Sequence, residues 1–325
     1  MGRPVQTARA LSASRIACIN IDLDGLLHYA AIHGLPADAV PAQAADLVDR
    51  VAIGRFTELC EAGGVKGTLF AIGADLGQHG RASLRTAAVA GHEIGNHTFA
   101  HDYALSRQSA ADIAADIASG ADEIEAACGV RPRGFRAPGY TFTAAMYAAL
   151  VAQGYAYGSS VFPAAPYYLA KAAVMGALAL KGTPSRSVLD RPRVLTAPLL
   201  PYRPDPGEPY RRGAGTVLEL PVTVDPLTRF PFIGTFVVTL PARLVFTLYR
   251  SVARQPFLNL ELHGIDLLDA SDGSGPALAR AQRDLRVPVA DKLARLGELI
   301  RRIRQDYDVV TLLEASALVA AESAR

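Results

Sequence analysis

The strongest constraint on this chain is an alternation. Short apolar runs rich in β-branched residues take turns with segments whose apolar residues recur at helical spacing. "RIACINID" (15–22) reads as a strand, and "AADLVDRVAIGRFTELCEAGG" (44–64) as a helix that stops on glycines. "KGTLFAIG" (66–73) is strand-like, a short helix lies around 80–90, and "SAADIAADIASGADEIEAACG" (109–129) opens on Ser109 as N-cap and closes on Gly129. "RGFRAPG" (133–139) predicts the next strand and loop, and "TAAMYAALVAQG" (143–154) the next helix. After position 215 the rhythm resumes with "GTVLELPVTV" (215–224), a helix near 241–254, the strand "FLNLELHG" (257–264), a helix near 288–305 and the strand "DVVTLL" (308–313). A β-α-β-α order implies a parallel sheet with crossover helices, as an open sheet or a barrel. Chemistry in such folds gathers where strands end and loops begin.

The stretch between Pro163 and Pro209 breaks this rhythm, with nine of the chain's 21 prolines. Its "YYLAKAAVMGALALKG" (167–182) predicts a helix. The segment 163–215 is expected to be an insertion in a single domain spanning 1–325, a lid over the site.

Bulk properties exclude several classes. A net charge of +2 on 325 residues gives no reason to expect nucleic-acid binding. Cys18, Cys60 and Cys128 are odd in number and widely spaced, which argues for buried free thiols rather than a disulfide scaffold. The N-terminal "MGRPVQTARALSAS" carries basic residues but no apolar run of signal-peptide length, and no segment offers about 20 uninterrupted apolar residues. These features lead to the expectation of a cytoplasmic protein, with the inner membrane surface as an alternative location.

Four pieces carry chemistry. "INIDLDG" (19–25) ends the first strand with Asp22 and Asp24 at period two, on one face. Paired carboxylates repel and call for a cation or a shared proton; a solvated strand end is the plainer reading of this piece alone. "GHEIGNHTFAH" (91–101) holds His97 and His101 four residues apart, one helical turn, so that both rings can point the same way. One Asp with two His is a recognised divalent-metal set. In "GFRAPGYTF" (134–142), Arg136 can hold a carboxylate bidentately, and the Pro138-Gly139 turn can present the N–H groups of Gly139 and Tyr140 as oxyanion donors. In "LNLELHGIDLLD" (258–269), His263 closes an apolar strand. Taken singly, the last two read as an ordinary loop and a core histidine.

The order of the pieces, D-x-D, then H-[ST]-x-x-H, then R-x-P, then L-H, resembles the polysaccharide deacetylase family, also called carbohydrate esterase family 4, over roughly residues 15–160 and 215–315. The resemblance implies a distorted (β/α) barrel that hydrolyses N-acyl groups, acetyl or formyl, from amino sugars. By matching position, Asp24, His97 and His101 would be ligands of one divalent ion, zinc first, with cobalt, nickel or iron as alternatives. Asp22 would be the general base, Arg136 its orienting partner, and His263 the general acid. A backbone N–H near Gly139 or Tyr140 would serve the oxyanion.

Two departures from the family pattern stand out. The aspartates are separated by Leu23, as in a subset that includes lipid-linked aminosugar deformylases. Relatives often carry an aspartate where "YGSS" (157–160) has Gly158; Asp266, three residues after His263, is a candidate to support the acid in its place. The expected partner is an acylated amino sugar, with a lipid-linked form favoured by the apolar stretches 161–182 and 230–250, which also raise peripheral membrane contact; core packing is the plainer account of both. A catalytically impaired sugar-binding barrel and a deacylase of small non-sugar amides are the competing readings. Oligomeric state is not legible. His92 is expected to be structural.

Overall fold

The computed structural model describes residues 15–180, 182 and 187–323. The basic N-terminal segment 1–14 and part of the proline-rich segment, residues 183–186, lie outside the described residues.

The sheet is parallel throughout. β1 (Ile16–Asp22), β2 (Thr68–Ala71), β3 (Glu93–Asn96), β4 (Gly134–Phe135) and β5 (Tyr157–Gly158) follow one another in space as in sequence. The proline-rich segment then adds a small antiparallel hairpin of β6 (Pro204–Asp205) and β7 (Glu208–Arg212) off the main sheet. β8 (Leu218–Glu219) continues the sheet beside β5, and β9 (Phe257–His263) returns to pair with the whole of β1. β10 (Asp308–Val309) pairs with the start of β1. All seven residues of β1 are buried, as expected of a parallel strand covered on both faces.

The sheet curls until β8 and β9 face each other across a seam. No ladder joins those two strands; Asn259 ties β9 to the residues that follow β8 instead. Its backbone carbonyl accepts from the Thr223 N–H (3.1 Å), and its side-chain amide donates to the carbonyls of Leu220 and Pro221 (3.0 and 3.1 Å). The result is the distorted barrel expected from the sequence, as one domain. The helices Ile53–Gly63, Gln78–Val89, Ala110–Cys128 and Val289–Asp306 lie outside it, with Leu, Ile, Phe and Ala side chains packed inward. Ser109 caps its helix through the Asp112 N–H, and Gly129 ends it in the left-handed conformation.

Two elements differ from the sequence reading. "DVVTLL" is not a six-residue strand: β10 covers Asp308–Val309, and a helix occupies Leu312–Ser323. The cause is a capping box over "TLLE". The Thr311 N–H donates to Glu314 Oε2 (2.8 Å), and the Glu314 N–H returns to Thr311 Oγ1 (3.3 Å). Likewise β8 stops at Glu219, because the Ser160 N–H that would continue the ladder with β5 donates instead to Glu219 Oε1 (2.7 Å). The three cysteines are buried and free, as expected.

Candidate active site

The sequence signals converge at the C-terminal ends of β1, β3, β4 and β9. The tight register of β1 and β9 places Asp22 directly beside His263. Asp24 lies just beyond the strand, and both carboxylates are buried.

The histidine pair reaches the same place by a route the spacing did not predict. His97 and His101 are not on a helix. β3 ends at Asn96, and the loop after it turns through two non-glycine residues of positive φ, Thr98 (72°) and His101 (49°). A β-branched residue in that region is strained and needs support. Asn96 Oδ1 accepts from the Thr98 N–H (2.8 Å), Thr98 Oγ1 accepts from the His101 N–H (3.0 Å), and Asp116 accepts from the N–H groups of Phe99 and Ala100 (3.0 and 3.1 Å).

Three donor atoms then meet. His101 Nε2 stands 2.6 Å from Asp24 Oδ1 and 3.2 Å from His97 Nε2, and His97 Nε2 is 3.9 Å from the same carboxylate oxygen. His97 Nδ1 donates to the Arg136 carbonyl (2.8 Å), which turns the Nε2 lone pair toward the cluster. Asp24 Oδ1 is buried without a hydrogen bond of sound geometry. Two ring nitrogens and a carboxylate oxygen in such contact need a proton or a cation between them. Tetrahedral ligands at zinc bond lengths stand about 3.3 Å apart, so these residues fit a divalent ion. Burial pushes the Asp24 carboxyl up, but His101, His97 and His263 together hold it well below the usual carboxylate range. Burial pulls His97 down to about 4, against the nearby Asp22, so its ring is neutral as a ligand must be.

Arg136 is fully buried and organises the other half. Nη1 donates to Asp22 Oδ1 and Asn20 Oδ1 (both 2.7 Å), Nη2 to Ser159 Oγ (2.8 Å) and Nε to the Ser159 carbonyl (2.7 Å), while its plane lies 4.3 Å from the Phe70 ring centre. The expected bidentate grip on one carboxylate is therefore not formed. The fork is shared among three side chains because β1, β4 and β5 all end around it.

The Pro138-Gly139 turn carries Gly139 at φ 61°, as a tight turn requires. Of the two expected oxyanion donors, the Tyr140 N–H is engaged with the Ala137 carbonyl (3.2 Å), which leaves Gly139. Tyr140 enters the site by its hydroxyl, which donates to Glu261 Oε1 (2.5 Å).

The sequence reading missed Glu261. Its Oε1 lies 3.2 Å from His263 Nδ1, and the side chain is fully buried. Asp266, the residue expected to support His263, instead accepts from the His263 backbone N–H (2.9 Å) and caps the turn that follows. The available signal was E-x-H on one strand, since residues two apart share a face. Burial disfavours the charged imidazole, but Glu261, Asp24 and Asp22 outweigh it and raise His263 to about 9. Gly158 also has a local cause: a Cβ there would lie 2.7 Å from Glu219 Oε2, so a second carboxylate would be both crowded and repelled.

These side chains floor a cleft of about 380 Å³. Asp22, Asp24, His97, His101, Gly139, Tyr140 and His263 all line it. One wall comes from the helix Ala165–Leu180, through Tyr167, Lys171, Val174 and Met175; Ile32, Ile233 and Phe236 provide further apolar lining. His92 is buried away from the cleft and accepts from the Gly67 N–H (3.1 Å).

Fold and site together define an α/β barrel with a buried Asp-His-His donor set. The sequence model of the polysaccharide deacetylase family matches residues 49–158, about a third of the chain. The matched span contains His97, His101 and Arg136; Asp22, Asp24 and His263 join them through the fold. A Mycobacterium smegmatis protein assigned to the polysaccharide deacetylases is 17% identical, with a TM-score of 0.62 over 99% of this chain and 96% of its own. That likeness supports the fold. A family 4 carbohydrate esterase from Streptomyces lividans in complex with acetate (10% identity, TM-score 0.44, 92% of this chain and 93% of its own) and a carbohydrate esterase family 4 pseudoenzyme from Bacillus anthracis (11%, 0.46, 93% and 66%) are more distant. The comparison with curated proteins found no match. Among the described residues, no helix is long and apolar enough to cross a membrane.

Proposed function

We propose that this protein is a metal-dependent N-deacylase acting on an acylated amino sugar. The observation that carries the reading is the single cleft floor shared by the Asp24–His97–His101 donor set, the Arg136-held Asp22 and His263. Asp24, His97 and His101 would hold one divalent ion, with zinc the first expectation and cobalt, nickel or iron the alternatives; bound there, it would polarise the acyl carbonyl and acidify water.

The chain's own groups supply the rest. Asp22, oriented by Arg136 at 2.7 Å, takes the proton of the attacking water as a new C–O bond forms. The Gly139 N–H faces the negative charge that develops on the acyl oxygen. His263, whose protonated form the neighbouring Glu261 favours, donates to the amine nitrogen as the C–N bond breaks. Glu261 fixes the ring and stabilises its positive charge, and Tyr140 holds Glu261 in turn. The sugar-binding alternative rested on Gly158, and Glu261 weakens it by supplying a carboxylate at His263 from the same strand.

The apolar lining from Ile32, Val174, Met175, Ile233 and Phe236 supports the finer reading of a lipid-linked substrate. The experiment is a panel of acetylated and formylated amino sugars, soluble and lipid-linked, with released acetate or formate quantified and metal content measured on the same sample. Release from at least one member is expected; no release from metal-loaded protein across the panel overturns the proposal.

A further inference from the structure

The helix Ala165–Leu180 lines the cleft with one charged side chain, Lys171. Tyr167, at the inner end, packs on Phe162 and Tyr140 with ring centres 5.1 and 6.3 Å apart. Four residues on, about 6 Å along the axis, comes Lys171. Val174 and Met175 follow on the next turn, and the helix ends at exposed Leu180. Lys171 is partly buried against the oxyanion turn, with Nζ 3.4 Å from the Gly139 carbonyl.

That long contact is the one hydrogen bond found for the ammonium among the described residues, although an ammonium carries three donors. No described carboxylate lies within 4.0 Å of it. Asp190, whose charge it feels, has its oxygens engaged by the Tyr210 hydroxyl and the Arg191 N–H. Burial pulls the lysine down to about 8, so it is still largely a cation at neutral pH. A half-desolvated cation facing a cleft, with donors to spare, is costly unless a ligand supplies the acceptors.

We infer that Lys171 is a specificity-determining residue that selects substrates in which an anionic group, a phosphate or a carboxylate, lies close to the acylated amine. This rests on the deacylase reading and adds a chemical class to its substrate. Gly139 links the two positions: its N–H faces the acyl oxygen, and its carbonyl touches Lys171.

The test uses three acylated amino sugars that differ only at one neighbouring position, carrying a hydroxyl, a phosphate or a carboxylate. Their binding to the wild-type chain, Lys171→Met and Lys171→Arg is measured by calorimetry with metal loaded and with metal stripped, and turnover is followed in parallel. The wild type is expected to bind an anionic form about tenfold or more tightly than the neutral one, the worth of one charge-assisted hydrogen bond. Lys171→Met should level the two affinities and Lys171→Arg should keep them apart. Which anionic arm gains decides between phosphate and carboxylate. Raising the salt concentration should shrink the wild-type difference, a check that stands even if Lys171→Met folds poorly. Equal wild-type affinities, or a preference untouched in Lys171→Met, overturn the inference. Absence of turnover on every arm counts against the deacylase reading, while the binding ratios still decide the role of Lys171.

Discussion

Glu261 and His263 stand two residues apart on β9, and a carboxylate oxygen of the first lies 3.2 Å from Nδ1 of the second. The pairing is internal to one strand, so it needs no side chain from β5, where Gly158 offers none. Tyr140 closes the arrangement from the opposite turn. Glu261 therefore acts through His263 and is a positioning residue.

Glu261→Gln is expected to lower kcat by about a hundredfold, within the range attributed to general acid–base catalysis, while KM and metal content stay close to wild type. Tyr140→Phe should show a smaller effect in the same direction, since it removes only the group that holds Glu261. Steady-state kinetics with metal analysis checks this. A Glu261→Gln protein with wild-type kcat would assign the carboxylate a purely structural part.

The candidate set was legible from the order of the four pieces and the family they resemble. Period two gave Asp22 and Asp24 only a shared face, and taken alone they read as a solvated strand end and His263 as a core histidine. The histidine loop was readable in content but not in form: only the fold reveals that Asn96, Thr98 and Asp116 pin it in place of a helical turn. β4, β5 and β8 have two residues each, too few for any periodicity to register. Glu261 looked like an ordinary polar member of a strand, because burial across the barrel interior is a tertiary property. The Leu312–Ser323 helix was hidden because "VVTLL" is β-like in composition, while its capping box depends on one glutamate further along.

Arg136 makes a second prediction. It is buried with its donors divided among Asn20, Asp22 and Ser159. Lysine offers one ammonium where the fork reaches three partners, so Arg136→Lys is not conservative here. Arg136→Met leaves Asp22 as a buried carboxylate without its cation, a change that typically costs about 3–5 kcal/mol. Urea unfolding should rank wild type above Arg136→Lys and Arg136→Met lowest, with turnover falling in the same order. Equal unfolding midpoints would show that water or a shifted partner replaces the guanidinium.

Metal binding should register as stability. The donors of Asp24, His97 and His101 are gathered in the folded chain and scattered in the unfolded one, so an ion held by them favours folding. At a free concentration of a hundred times Kd the gain is about 2.7 kcal/mol. A chelator should lower the melting temperature of the wild type, and added zinc should restore it. The His97→Ala/His101→Ala double variant should respond to neither and should purify without stoichiometric metal. A chelator shift of the same size in both proteins would place the ion elsewhere.

The last prediction concerns pH and lies away from the metal cluster. Glu219 is almost fully buried on β8; its Oε1 accepts from the N–H groups of Ser160 and Val161, both at 2.7 Å, and its Oε2 has no partner among the described residues. Burial raises the carboxyl to about 7, and the two N–H bonds and Arg136 offset only part of that. Below its ordinary value of 4.5 the group is protonated in both folded and unfolded chains and contributes no difference. Between there and about pH 7 the unfolded chain ionises first, so stability falls as pH rises, and above that range the loss is complete. The full penalty is on the order of 3 kcal/mol, from a rise of roughly 2.5 units at 1.36 kcal/mol each. Glu219→Gln keeps an acceptor for Ser160 and Val161 but never ionises. Its own buried amide adds a cost that does not change with pH, so the slope carries the information rather than the absolute value. Urea unfolding of both proteins at pH 5 and pH 8 should show the variant gaining on the wild type as pH rises. A difference that stays flat across that window would mean Glu219 is charged in the folded chain, with Arg136 and the two backbone donors sufficient to hold it so.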